Sequence, residues 1–265
     1  MYKYFYFLLF ILFSCDFQKD ITVNLPSYDG KLVVECYLES GKPYRLALSE
    51  SVPYLSAPTL PDVPDARVII RYKGVNDTLL YRPAIDSVSR KIYNYSSRKL
   101  ANYDTLNDYE LIIQDKKGRS VTSKTRFLGK VNIDSIQTSF NNTKDAVLLV
   151  RFKDNPQKED FYRISFHKKR LTNSPTRDFH FNDILFASET SGIGSGFQFK
   201  EKDSVFVTLY HIEEGYYRFL RSTAAAARAN ANPFSEPAVI LSNIDNGIGV
   251  FTTLTFDRKF MIVKK

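Results

Sequence analysis

Leu32, Val34, Cys36 and Leu38 fall on one side of an alternating pattern near the start of the chain. A period of two puts such side chains on one face of an extended strand, because successive Cβ atoms point to opposite faces. The same spacing recurs at Tyr44-Leu46-Leu48, Val68-Ile70-Tyr72 and Tyr109-Leu111-Ile113. The stretch NDYELIIQDKKGRSVTSKTRF predicts a hairpin, with Lys116-Lys117-Gly118 at its turn and a polar-alternating return strand. Residues 52–66 are rich in proline and read as a connection, since proline lacks the N–H that a ladder needs. Short strands at roughly even spacing predict an immunoglobulin-like β-sandwich over residues 31–128. Tyr109, entering the penultimate strand of that unit, is placed to form a tyrosine corner.

A boundary is read within LGKVNIDSIQ, and β patterning resumes beyond it at DAVLLVRFKD and DFYRISFHKKR. In the latter, Tyr162, Ile164 and Phe166 alternate with Arg163, Ser165 and His167. Three further strands are expected, at SVFVTLY, GVFTTLTF and KFMIV. One segment changes period. In IEEGYYRFLRSTAAAARANANPF, residues Tyr216, Phe219, Leu220, Thr223, Ala224 and Ala227 recur at helical spacing and predict a core-facing stripe on a helix near residues 213–230. Glu213 and Glu214 sit where the positive end of the helix favours them, and Pro233 stops the continuation. Residues 129–265 are therefore expected to form a second β-rich domain carrying one α-helix, and the fold class is mainly β.

The first residues follow a different logic. Lys3 supplies a positive charge, residues 4–13 are almost wholly apolar, and Ser14-Cys15 follows. Such a run is too short to cross a bilayer as a helix, which takes about 20 residues. It has the layout of a secretory signal peptide over residues 1–14, and Leu12-Phe13-Ser14-Cys15 resembles the bacterial lipobox. In that kind of signal the cysteine becomes the acylated first residue of the mature chain, so Cys15 is the expected lipid attachment site. Two or more acyl chains anchor stably where one binds only marginally. Residues 15–30, polar and broken by Pro26, read as a lipidated tether. The expected location is a membrane surface, held by the lipid anchor.

Composition agrees with a folded β protein. The chain has 265 residues, enough to bury a large core without disulfides or metals. Its 17 tyrosines and 21 phenylalanines favour strands. Of the two cysteines, Cys36 lies on the apolar face of a strand and reads as a small core residue.

Several pieces together carry a family resemblance: YDGKLVVECYL after the lipobox, IDSI at the junction, FKDNPQKEDFYRISF, FNDILF, YHIEEGYYRFLRS and NPFSEPAVILSNIDNGIGVF. In this order they resemble the Bacteroidota outer-membrane lipoprotein family known as domain of unknown function 4249. The genes of that family tend to sit beside TonB-dependent transporters, so the resemblance implies a partner role at the outer membrane. It also implies that the lipid anchor holds this chain to the outer membrane, at the periplasmic face or the cell surface. The family has no established catalytic residues, and none is carried over.

The chemistry legible in the residues is sparse. No GxSxG, HExxH or phosphate-binding glycine loop is present in the right context. SGIGSG (residues 191–196) neither follows an apolar strand nor opens a helix, and reads as a flexible loop. Asp178, His180 and Asp183 lie close in sequence, but three mixed ligands without a fourth make a poor metal set. Asn243, Asp245 and Asn246 offer oxygen donors of the kind calcium takes, and beside glycine they read first as turn formers. No metal and no cofactor is expected. His167, His180 and His211 carry no local signature of a nucleophile's base.

The formal charge is +8, densest over residues 163–170 with Arg177 nearby. A secreted lipoprotein rarely meets nucleic acid, so no nucleic-acid partner is expected. The cluster suits anionic headgroups or acidic glycans, or is a solvated strand edge kept from aggregating by its lysines. These readings converge on a membrane-anchored cell-envelope lipoprotein, not an enzyme. It would act as a binding or accessory partner of a TonB-dependent outer-membrane transporter or its cargo, through residues 230–249. The alternatives are a structural or adhesive surface protein binding glycans or envelope and, less so, a hydrolase.

Overall fold

The computed structural model describes residues 28–53, 56, 59–155, 157–185, 190–232, 234–236 and 238–265. Cys15, the signal segment 1–14, most of the tether 15–30, and Pro233 lie outside them. The alternating segments become strands. In chain order these are β1 (Leu32–Glu39), β2 (Pro43–Glu50), β3 (Arg67–Tyr72), β4 (Val75–Ile85), β5 (Ile92–Leu100), β6 (Tyr109–Gln114) and β7 (Ser120–Thr125). β1, β2, β5 and the second half of β4 pair antiparallel in one layer, while the first half of β4 pairs with β3, and then β6 and β7 follow in the other. Thus β4 changes sheets along its length, a device by which sandwiches turn a corner. Between the layers lie Leu32, Val34, Cys36, Leu46, Leu48, Val68, Ile70, Leu111 and Ile113, all buried. Every one comes from the face that the period of two assigned to the core.

The tyrosine corner forms as its position predicts. The Tyr109 hydroxyl donates to the Asn102 carbonyl and accepts from the Asn102 N–H, each at 2.9 Å. Its ring is fully buried and stacks on Tyr72, with centroids 4.4 Å apart.

A second sandwich has a corresponding strand order. It comprises β8 (Ile133–Phe140), β9 (Asp145–Lys153), β10 (Phe161–Lys168), β11 (Arg177–Asn182), a 3₁₀ turn (Asp183–Leu185), β12 (Thr190–Gly194), β13 (Phe199–Lys200), β14 (Ser204–Ile212), helix α1 (Glu214–Asn230) and β15 (Ile248–Ile262). β9 pairs with β8 on one side and with β12 and β13 on the other. β11, β10, β14 and β15 form the facing sheet. The core between them holds Leu148, Val150, Phe152, Ile164, Phe166, Phe199 and Val207.

Three expectations are corrected. GVFTTLTF and KFMIV are one strand of 15 residues rather than two. The polar Asp257-Arg258 between them do not make a turn. Asp257 accepts from the Ile133 N–H at 3.0 Å and pairs with Lys130 at 2.9 Å, and Arg258 donates to Thr208 at 2.9 Å, so both are satisfied within the sheet. Residues 190–194 form β12, not a loop. The pairing is made by backbone groups against β9, which needs no apolar alternation to announce it. On α1, Ala227 is exposed, while Tyr217 and Ser222 join the buried face. The helix rests on the sheet only over its first half.

β15 has two partners. Its first half runs parallel to β1, with Val34 opposite Gly249 and Leu38 opposite Thr253, and its second half runs antiparallel to β14. A strand from the end of the chain therefore completes a sheet begun at residue 32, and Phe251 and Ile244 pack into the first core. Gly249 makes this approach possible. Its φ is 122°, and a Cβ there would overlap the Val34 carbonyl oxygen.

Candidate functional site

The β14–β15 connection, residues 213–247, is the largest elaboration of the second sandwich. In immunoglobulin-type folds the corresponding loop lies at a recognition end. Glu213 fixes its start. Instead of capping α1, its carboxylate accepts from the Thr125 hydroxyl and, at 3.2 Å, from the Arg126 N–H, which ties the helix entry to β7. Burial holds this carboxyl above the usual glutamate range. Tyr216 meets the edge of Tyr37 on β1, centroids 5.8 Å apart, and its hydroxyl accepts from Arg163 at 3.0 Å.

Between α1 and the outer face of β10 and β11 runs a groove of about 370 Å³, lined by Arg163, Asp178, His180, Leu220, Thr223 and Ala224. Arg163 spends two nitrogens on the Asp178 carboxylate, at 2.8 and 2.5 Å. The polar wall of the groove is thus close to neutral. Burial keeps the His180 imidazole below its ordinary range. The basic run 163–170 does not act as one patch: Arg163 is spent on Asp178, and Lys168 pairs with Asp203 at 2.8 Å. Lys169 and Arg170 are exposed at the strand's end.

Beyond α1 the connection exposes a row of large apolar side chains. Phe234 is 95% exposed, Val239 80%, Ile240 39% and Leu241 50%. The segment is tied to the helix where the Leu241 N–H donates to Ser222 Oγ at 2.9 Å. The oxygen donors that follow are engaged with the fold. Asn243 brackets Phe251, donating to its carbonyl at 2.7 Å and accepting from its N–H at 3.0 Å. Asp245 exchanges backbone hydrogen bonds with Thr122, and Asn246 takes the left-handed turn conformation with φ 59°.

The trio Asp178, His180 and Asp183 is not brought together. Asp178 goes to Arg163, the His180 ring meets the edge of Tyr217 at 5.5 Å, and Asp183 joins other acids at the end of the sheet. There Asp154, just past β9, and Asp160, just before β10, place one carboxylate oxygen each within 4.8 Å of one from Asp183. Burial, with the charges of Asp154 and Asp160, holds the Asp183 carboxyl above its ordinary range. His211 on β14 lies beside Asp160, with Nε2 3.2 Å from Oδ1. Sequence reading missed this grouping. Its one visible trace was the pair of aspartates bracketing NPQKE between two strands.

Cys36 is fully buried on β1, and burial pushes its thiol far up, as expected of a packing residue. Among the described residues no serine, threonine or cysteine side chain hydrogen-bonds a histidine. None of the described helices is long and apolar enough to cross a membrane.

The domain of unknown function DUF4249 matches residues 18–259. The chain belongs to the DUF4249 family. No curated protein matches the sequence. Similar solved structures include a cytokine receptor complex, at 7% identity over 69% of this chain and 86% of that one, with a TM-score of 0.25. Another is that of the chicken CNTN1 FN1-FN3 domains, at 8% identity over 91% of this chain and 69% of that one, with a TM-score of 0.32. Both are too distant to transfer a function to this DUF4249 chain.

Proposed function

We propose that the protein is a lipid-anchored cell-envelope lipoprotein that captures an outer-membrane partner without performing chemistry. The observation that carries this reading is the row Phe234, Val239, Ile240 and Leu241, exposed on a connection held by a rigid sandwich. Apolar side chains grouped at a surface mark interaction sites, and recognition residues concentrate on loops placed by a scaffold. The N-terminal segment supplies the anchor in this reading, with Cys15 as the acylated residue. The partner that suits both is an outer-membrane β-barrel of the TonB-dependent class, or its cargo, as the family resemblance implies.

The test is an affinity pull-down of the tagged, lipidated protein from detergent-solubilised outer membrane, with mass spectrometry of the eluate. Near-stoichiometric recovery of a β-barrel is expected from the native chain. Recovery should drop at least tenfold from a Phe234→Ser/Val239→Ser form whose melting temperature is unchanged. Equal recovery from both forms would remove the loop from the interface. A spacer or adhesive role is favoured by one feature, the sharing of β15 by both sandwiches, which stiffens their junction. That reading expects an eluate with no protein partner and retention on acidic polysaccharide.

A further inference from the structure

The acids at the end of the second sandwich have a geometry that hydrogen bonding within the protein does not complete. Each of the three carboxylates is anchored through one oxygen. Tyr162 donates its hydroxyl to Asp154 Oδ1 at 2.5 Å, the Asp160 N–H donates to Asp183 Oδ2 at 2.9 Å, and Lys158 Nζ lies 3.0 Å from Asp160 Oδ1. The Asp154 and Asp183 carboxyls also lie within hydrogen-bonding reach of each other, a contact that needs a proton or a cation between them. Three carboxyls thus converge on one small volume with a single lysine against them. Asp160 and Asp183 are only 8% and 6% exposed, so water does little to screen the repulsion.

His211 stands independently against one member of this group, Asp160. It is 8% exposed, and its Nδ1 lies 2.7 Å from the Gly129 carbonyl. A carbonyl can only accept, so Nδ1 carries the proton and donates it. In the neutral ring Nε2 then presents a lone pair. That nitrogen is buried, makes no hydrogen bond, and faces Asp160 Oδ1 at 3.2 Å. Two acceptors in such contact require a proton between them or a cation beside them. A histidine whose far nitrogen donates to a backbone carbonyl is the usual arrangement of a metal-binding imidazole, because that bond fixes both tautomer and ring orientation.

We propose that Asp154, Asp160 and Asp183, with the His211 imidazole beside them, bind one divalent cation of the kind that accepts both carboxylate oxygen and imidazole nitrogen, such as Mn²⁺ or Zn²⁺. The cation joins the end of β9, the start of β10, the end of β11 and β14. Through the bond from His211 to Gly129 it also steadies the linker between the two sandwiches. Its role is structural.

The test uses the full chain purified in detergent, stripped with EDTA and titrated with MnCl₂. Loss of the free-ion electron paramagnetic resonance signal reports binding, and thermal melts run in parallel. The expected result is about one Mn²⁺ per chain, as one octahedral oxygen and nitrogen set allows. The melting temperature should rise by about 5 °C or more once free metal exceeds Kd a hundredfold. Asp183→Asn should lose the response while melting no lower than the stripped native chain, because it removes one of three crowded carboxyls. His211→Gln should weaken affinity about 10- to 100-fold, the usual effect of disturbing a site's histidine support. If the stripped native chain takes up neither Mn²⁺ nor Zn²⁺ and melts as before with either, a shared proton holds the cluster and the proposal is overturned. Uptake equal in the native and Asp183→Asn chains overturns it as well.

Discussion

Replacing Gly249 by alanine tests the central feature of the architecture, the parallel pairing of β1 with β15. Gly249 sits opposite Val34 with φ 122°, and an added Cβ would overlap the Val34 carbonyl oxygen while standing 2.8 Å from the carbonyl carbon and 3.0 Å from the Val34 amide nitrogen. A saturated carbon approaches a carbonyl oxygen no closer than about 3.3 Å, so the strands must part locally. Forcing a non-glycine residue into that backbone region costs roughly 1–3 kcal/mol. Parting the strands removes about two ladder hydrogen bonds, worth on the order of 1 kcal/mol each. Together these come to about 3–5 kcal/mol, a fall of roughly 6–20 °C in melting temperature at 2–4 °C per kcal/mol. Urea denaturation at unchanged m-value measures the loss, and hydrogen exchange should show faster amides in β1 and the first half of β15. Gly192→Ala serves as the control, since its Cβ would meet only Leu149 Cδ1 at an ordinary 3.6 Å. A loss below about 1 kcal/mol for Gly249→Ala, no larger than an average point substitution, would refute the close strand approach.

Two further outcomes follow from the same packing. Tyr109→Phe leaves the Asn102 N–H and carbonyl without their 2.9 Å partner and should cost about 1–3 kcal/mol, read as a lower denaturation midpoint. Glu213 gives a pH dependence: burial raises its carboxyl in the folded chain, so the folded state holds the proton more tightly than the unfolded one. Its stabilising contribution is full below about pH 4.3, the ordinary glutamate value, and is lost as pH rises through the folded value. Glu213→Gln should flatten that segment of the stability–pH curve, and an unaltered slope would place the titration elsewhere.

The period of two in the sequence was enough to determine β1, β2, β3, β6 and β10 and the side of each that faces a core. Pattern is a local property, and burial of one face follows from it directly. The helix was legible for the same reason, by its change of period at Tyr216 and its acidic start. β4 and β5 were not, because most of β4 and both ends of β5 are exposed and show no apolar face. Nor was β12, whose glycines pair through backbone alone. Only the tertiary structure decided the rest. That β15 runs beside β1, that Gly249 must be glycine, and that Asp154, Asp160 and Asp183 meet with His211 beside Asp160 all depend on partners brought together from distant parts of the chain. A residue's periodicity says which way its side chain points. It carries no information on what stands opposite, and that is set by the register and crossing of strands that fold together.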